Sequence, residues 1–245
     1  MNKKIQVLYE DKEFIVINKP SGILSVGDRF NLNAPSLLGM LRKKYDEVYT
    51  VHRLDKETSG VIVYALTKAA HKSLSEQFEN RTTEKKYIAF VENHIEEAGT
   101  IDAPIAESPF IKGKMVIHKK GKPSLTEYKR IEKYGNVSLV EINLKTGRTH
   151  QIRVHFAHIG SPLFIDSLYG HRAEFYLSEI KGRKYKSGKY KVEKPLLSRL
   201  TLHAKKLTFN HPTINKVVSL KADLPKDLKA LHYQFSKFYH NGSAK

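Results

Sequence analysis

The chain has 245 residues, enough for one domain with a large core. It carries 43 Lys+Arg against 25 Asp+Glu, a formal net charge of +18, and it contains no cysteine. This composition excludes a disulfide frame and thiolate metal sites, suits a reducing compartment, and points to a polyanionic partner, of which nucleic acid is the commonest.

The first residues, MNKKIQVLYEDKEF, hold no apolar signal core, and VIVYAL is far too short to span a bilayer, so a cytoplasmic protein is expected. QVLYE and FIVIN flank the charged turn DKE and read as a hairpin that KPSG breaks. SLLGMLRKKY carries a helical face of Leu37, Met40, Leu41 and Tyr45. VIVYALT reads as a buried strand, and Thr67 as the N-cap of the helix KAAHKSLSEQFENR, with Ala70, Leu74 and Phe78 on one face. KKYIAFVEN is a further strand. The stretch from Thr100 to Lys122 mixes Pro, Gly and Lys without a clear period. LTEYKRIEKY and VSLVEINLK read as strands about a turn at Gly135 and Asn136.

Thr149 is the expected cap of the helix HQIRVHFAHI, with Ile152, Phe156 and Ile159 toward the core and Gly160 as its stop. RLTLHAKKLTF and KVVSLKA are strands, and PKDLKALHYQFSKFY is a last helix with Pro225 at its start. Strands outnumber helices and are mostly hairpin-connected. The expectation is an α+β fold in one domain over residues 1–245: a mixed, mostly antiparallel central sheet flanked by helices and loops.

The chain has no phosphate-binding GxxxxGK[ST] loop, no GxGxxG and no GxSxG elbow. His150, His155 and His158 lack the spacing of a HExxH zinc site and no carboxylate lies among them, so no metal is expected. Three places remain for chemistry: Asp55 in VHRLDKETSG, Tyr87 in EKKYIAF and Arg153 in GRTHQIRVH. In an extended segment Arg53 and Asp55 project to one side while Leu54 anchors the other. Spacing alone favours a structural salt bridge for the aspartate, a strand residue for Tyr87 and ordinary core for Leu200 and Leu202.

Taken in order, VLYEDKEFIVINKPSGI, HRLDKETSG, GRTHQIRVHFAHIGSP and RLTLHAKKLTFNHP resemble the pseudouridine synthases that carry an HRLD signature and act on large-subunit ribosomal RNA and tRNA. The similarity runs from about Gln6 to Leu220. The resemblance implies that Asp55 is the catalytic aspartate, that Tyr87 packs on the target uracil, and that Arg153 holds the Asp55 carboxylate. It further implies that Arg53 contacts RNA beside a flipped nucleotide and that Leu202 lines the uracil pocket. The implied reaction cleaves the N1–C1′ bond, rotates the uracil and rejoins it through C5. Nothing enters or leaves, so no cofactor is expected. The ionised aspartate acts either as nucleophile or by removing a sugar proton, and the sequence leaves both routes open. Burial would favour the protonated carboxyl, and a guanidinium beside it opposes that.

Two departures from the family pattern stand out. SPLFIDSLYG places Ile165 where glycine is usual before the aspartate, which is expected to reshape a loop near the site. No small N-terminal S4-type RNA-binding domain is expected, because the motifs begin almost at residue 1, so substrate choice falls to the catalytic domain. One candidate for that choice is a basic insertion over residues 173–195, where Lys184 and Lys186 lie among further cations, Tyr185 and Tyr190. It reads equally as an RNA grip and as a solvated hairpin tip. The expected partner is a tRNA or rRNA loop, and the expected state is a monomer. The rival readings are a non-catalytic RNA-binding protein on the same scaffold and a glycosylase that would release free uracil.

Overall fold

The computed structural model describes residues 5–28, 34–182, 185 and 192–239. The chain opens with the hairpin β1 (Gln6–Glu10) and β2 (Phe14–Lys19), whose turn is set by the Asp11 carboxylate accepting from the Glu13 and Phe14 amides. There follow α1 (Leu37–Leu41), β3 (Tyr49–Thr50), β4 (Ser59–Ala65), α2 (Lys68–Glu79) and β5 (Glu84–Glu92). The middle holds β6 (Ala98–Asp102), β7 (Ile105–Glu107), β8 (Met115–Ile117), β9 (Leu125–Tyr134) and β10 (Val137–Leu144). Helices α3 (Gln151–His158) and α4 (Ser178–Lys181), strands β11 (Leu202–Asn210) and β12 (Val217–Lys221), and helix α5 (Lys226–Tyr239) complete it.

Ten strands form one sheet in the order β1-β2-β4-β11-β5-β10-β9-β6, with β3 added to β4 and β12 to β11. Every pairing in this sheet is antiparallel except β4 with β11. That parallel ladder is only two residues long, His203 opposite Ser59 and Ala204 opposite Gly60, after which β12 takes over the edge of β11. The sheet is therefore two halves joined at a short seam. Gly60 is what lets the strands close there: its φ is +116°, and a Cβ would stand 2.1 Å from the Ala204 carbonyl oxygen.

Alternation along the strands sorts the core. Tyr87, Ala89 and Val91 of β5 join Ile62, Tyr64, Ile142 and Leu202 on the face covered by α1 and α3. Ile88 and Phe90 face the other way, against Leu228, Leu231 and Phe235 of α5. A third cluster forms where Ala70 and Leu74 of α2 pack on β2, β4 and the far part of β11.

The elements read from the sequence are present, with four corrections. Residues 51–58 are not strand but an irregular loop leading into β4, so Arg53 and Asp55 do not occupy a buried sheet position. Helix α1 stops at Leu41; Met40 and Tyr45 are only half buried. Thr149 does not cap α3: the N-cap is His150, in the left-handed conformation at φ 54°, without a side-chain cap. Ile159 is 39% exposed because the helix ends at His158 and Gly160, at φ 77°, turns the chain away. Thr67 does cap α2, accepting from the Ala70 amide. The stretch that showed no period, from Thr100 to Lys122, contains the small hairpin β7–β8.

Candidate active site

The loop of residues 51–58 is held in place by the segment just after β2. Ser25 Oγ accepts from the Leu54 amide at 3.1 Å and donates to the Leu54 carbonyl at 2.8 Å, so one hydroxyl satisfies both backbone groups of the residue before Asp55. Lys19, fully buried, spreads its ammonium over the carbonyls of Pro20, Lys56 and Thr58 at 3.2, 2.9 and 2.7 Å. Gly22, at φ 85°, donates to the Lys56 carbonyl. KPSG is thus a clamp for the aspartate loop as well as a strand breaker. Across the loop, His52 Nε2 accepts from the Val63 amide and its ring stacks on Phe78 at 4.6 Å. Burial, reinforced by the Lys85 charge, pushes the His52 imidazole down to about 3, so it stays neutral.

The Asp55 side chain is 29% exposed, with Arg153 Nη1 at 3.7 Å and His150 Nε2 at 3.9 Å. Arg153 does not close on Asp55 with hydrogen bonds. Its fork is taken by Asp166, with Nε to Oδ2 and Nη2 to Oδ1 both at 2.7 Å. Asp166 is itself pinned, since Oδ1 also accepts from the amides of Leu168 and Tyr169. The guanidinium lies over the Tyr169 ring at 4.9 Å. Its pKa is raised: burial opposes the charge, but the Asp166 carboxylate more than offsets that.

Tyr169 connects three parts of the site. Its hydroxyl accepts from the Met115 amide on β8 at 2.7 Å and meets His150 Nδ1 at 2.9 Å. With the phenol donating to Nδ1, the neutral imidazole carries its hydrogen on Nε2, on the side of Asp55. Burial lowers the His150 pKa more than the Asp55 charge raises it.

Tyr87 and Leu202 supply the apolar wall. Leu202 stands opposite Ala89, and Tyr87 opposite Ala204, on the same face of adjacent strands. Tyr87 is 8% exposed, and burial together with the Asp55 charge raises the pKa of its phenol, which stays protonated. Asp55, Tyr87, His150, Arg153 and Leu202 line one cleft of about 1160 Å³ over the seam between the two halves of the sheet.

Five of the residues singled out by sequence, Arg53, Asp55, Tyr87, Arg153 and Leu202, line this one cleft. Arg53 is exposed at its rim, and the groups facing Asp55 are the Arg153 guanidinium and the His150 imidazole instead. Lys184 and Lys186 lie outside the described residues. Asp166, Tyr169 and Ser25 were not singled out as site residues by sequence, and His150 was weighed only as a metal ligand; the Asp–Tyr spacing within SPLFIDSLYG was the available signal for the first two. Ile165 does not reach the cleft: it is buried in the α5-side core, and its amide donates to Thr201 Oγ1. Among the described residues no three His, Asp or Glu side chains converge as metal ligands, and no helix is long and apolar enough to cross a membrane.

The cleft thus sets the Asp55 carboxylate beside a guanidinium held by Asp166, with the buried Tyr87 in its wall. Comparison with known proteins agrees. The family model described as RNA pseudouridylate synthase matches residues 13–158. The chain belongs to the RNA pseudouridylate synthase family. It is similar to the dual-specificity RNA pseudouridine synthase RluA of Escherichia coli K12, at 38% identity over 88% of this chain and 91% of that one. The ribosomal large subunit pseudouridine synthase D of Zymomonas mobilis is 34% identical, over 93% of this chain and 71% of the relative.

Among solved structures, human RNA pseudouridylate synthase domain containing 4 matches with a TM-score of 0.70 and 28% identity, covering 94% of this chain and 92% of that one. Human RNA pseudouridylate synthase domain containing 1 matches with a TM-score of 0.68 and 31% identity, covering 93% and 87%. The protein is an RNA pseudouridine synthase, an isomerase acting on RNA uridine, and its fold is the α+β arrangement of these enzymes.

Proposed function

We propose that Asp55 carries out the isomerisation on a uridine flipped into the cleft, in a structured loop of tRNA or ribosomal RNA. The observation that supports this most directly is the convergence on one cleft of Asp55, Arg153 and Tyr87 from three distant parts of the chain. Asp55 attacks C1′ as the N1–C1′ bond breaks, or removes a sugar proton so that the uracil leaves by elimination; the uracil turns, C5 bonds to C1′ as the bond to Asp55 breaks or the sugar regains its proton, and the C5 hydrogen leaves as a proton while N1 takes one up. Arg153 sets a fixed positive charge 3.7 Å from the Asp55 carboxylate. Tyr87 packs on the ring and Leu202 closes its pocket, holding water away from the detached base. A stacked aromatic is worth about 1–3 kcal/mol per base. That offsets much of the cost of unstacking, and the cost is least in loops, where the base is already unpaired.

Arg53, exposed at the rim, contacts the RNA beside the flipped nucleotide. The whole chain acts as one catalytic domain, monomeric and cytoplasmic, and the basic segment of residues 173–195, with Lys184 and Lys186, grips RNA phosphates. The relative from Zymomonas mobilis is named for the ribosomal large subunit and RluA for a dual RNA specificity, which supports a structural RNA as the target here.

The test is RNA labelled with tritium at uridine C5. Isomerisation releases label to water, excision releases labelled base, and a binder releases neither. Asp55→Asn is expected to abolish the release while leaving RNA affinity within a few-fold of wild type. Normal release by that variant would remove Asp55 from the mechanism.

A further inference from the structure

The lysines of the central sheet divide in an unexpected way. On the face of β5 away from the cleft, Lys86 pairs with Glu141 at 3.1 Å and with Glu84 at 3.7 Å. Beside it Lys206 pairs with Glu84 at 2.8 Å and Lys205 with Glu141 at 3.7 Å. Each of these ammonium groups has a carboxylate, although their side chains are between 23% and 42% exposed. Lys85, the neighbour on the cleft face, is only 8% exposed, and among the described residues no carboxylate pairs with it.

Solvation predicts the opposite arrangement, since the buried cation needs a partner most. What Lys85 does have is the Phe78 ring at 5.8 Å, the neutral imidazole of His52 stacked on that ring, and the like charge of Arg81. Its ammonium ends near Gly147, where a Cβ would lie 4.0 Å from Nζ, so the opposite wall leaves room. A ring contact of this kind falls well short of the penalty for an unpaired buried charge. Burial correspondingly pushes the Lys85 pKa down, and Arg81 adds to that.

Position identifies the missing anion. Lys85 and Tyr87 are two residues apart on β5, on one face, about 6.6 Å apart along the strand, and both line the cleft. That distance is of the order of one nucleotide step in a strand splayed out of its stack. We propose that Lys85, with Arg81 and Arg148 at the cleft wall, holds a phosphodiester of the RNA strand next to the flipped uridine. This rests on the reading that RNA fills the cleft, and it adds a phosphate subsite at a defined distance from the uracil. The phosphate oxygen accepts from the ammonium, and binding supplies the counter-charge that the free protein lacks. The fold tolerates the unpaired cation in exchange for strand position at the reacting base.

The experiment uses full-length protein carrying Asp55→Asn, so that no turnover occurs, and fluorescently labelled oligouridylate as the probe. Lys85→Met in this background is expected to weaken binding about tenfold or more. It should also make the slope of log affinity against log salt shallower by about 0.7, the value for one phosphate on a single strand. Its melting temperature should equal or exceed that of the parent, because a buried unpaired charge has been replaced by an apolar chain of similar length. Lys85→Arg should restore most of the slope. A Lys85→Met variant with an unchanged salt slope overturns the proposal, whether it is less stable, as for a structural lysine, or slower when placed in the active enzyme, as for a base contact. Failure of the uridine reading would appear elsewhere, as absence of tritium release by the wild-type enzyme, and leaves this binding comparison intact.

Discussion

Arg153 and Asp166 meet fork to fork, with two hydrogen bonds of 2.7 Å, and so the guanidinium next to Asp55 is aimed by a carboxylate that never faces the substrate. Asp55 itself stands 3.7 Å from Arg153 Nη1, close enough for charge and too far for a hydrogen bond. This division of labour leaves the Asp55 oxygens without a hydrogen bond from Arg153. Asp166→Asn removes one charge from a buried pair and strands the other, so it is expected to destabilise the fold by about 3–5 kcal/mol. In the fraction that remains folded, tritium release at saturating RNA should fall by more than tenfold with affinity little changed. Urea unfolding and saturating turnover measure the two effects. A variant as stable and as active as wild type would show that Arg153 is aimed by something else.

The seam under the cleft gives a purely structural prediction. Gly60→Ala would drive a Cβ to 2.1 Å from the Ala204 carbonyl and require an L side chain at φ +116°. No flexible side chain can yield there, since the obstacle is backbone of β11. The two-residue ladder should open, at a cost of about 4 kcal/mol or more, in the range that usually marks a defined steric cause. Alanine at Gly113 is the control: it also has positive φ, at 77°, but a Cβ there meets nothing within 4 Å. That variant should lose only about 1–3 kcal/mol, the cost of the strained backbone. Equal losses at both positions, read from thermal melts, would contradict the steric account of the seam.

Much of this was legible in the sequence, for identifiable reasons. Alternation and turn residues give β1, β2, β9 and β10, because those strands are joined by tight turns whose chemistry is local. Thr67 is readable as a cap because its hydroxyl bonds only three residues ahead. The failures are non-local. Thr149 has the composition of a cap, yet Gln151, anchored on β9 by donating to the Leu125 carbonyl and the Thr126 hydroxyl, accepts from the Arg148 amide, and the chain enters α3 through a left-handed His150. Asp166 looks like a loop acid until the fold brings it to Arg153. Lys85 looks like any basic residue in a strand until its neighbours prove to have the carboxylates that it lacks. The motifs mark which residues matter, and the three-dimensional partners explain how.

The basic segment can be tested with little disturbance of the core, because its ends are fastened and, among its described residues, Ile180 alone packs on the α5-side cluster. Phe175 donates to the Leu197 carbonyl and accepts from the Leu196 amide, both at 2.8 Å, and Phe175 and Leu197 are buried together under α5. Replacing residues 178–194 by a short Gly-Ser link removes Lys181, Arg183, Lys184, Lys186, Lys189, Lys191 and Lys194. If these grip RNA, affinity should fall and the salt slope should flatten by about 0.7 for each phosphate no longer held. Turnover at saturating RNA should persist, since no residue of the Asp55 cleft is touched. Unchanged affinity and slope would make the segment a solvated loop.

His203 sets an acid limit on the fold. It is fully buried, donating from Nε2 to the Ala222 carbonyl at 3.1 Å, while Nδ1 accepts from Ser59 Oγ at 2.9 Å, a hydroxyl that also accepts from Arg199 at 3.2 Å. With both nitrogens committed in the neutral form and Arg199 nearby, burial lowers its pKa to about 4. The unfolded chain, with an ordinary histidine near 6.5, binds the proton more readily than the folded one. Stability from this group is therefore whole above about pH 6.5 and is lost as pH falls from there toward 4. Between pH 7 and pH 5 the loss from His203 alone is about 2 kcal/mol. His203→Gln keeps a donor and an acceptor without titrating. Whatever its stability at pH 7, it should lose about 2 kcal/mol less than wild type on acidification to pH 5, read as the change in urea midpoint at constant slope. Parallel acid limbs for the two proteins would mean that folding leaves the proton affinity of the seam histidine unchanged, and that its burial between Ser59 and Ala222 does not disfavour the charged form.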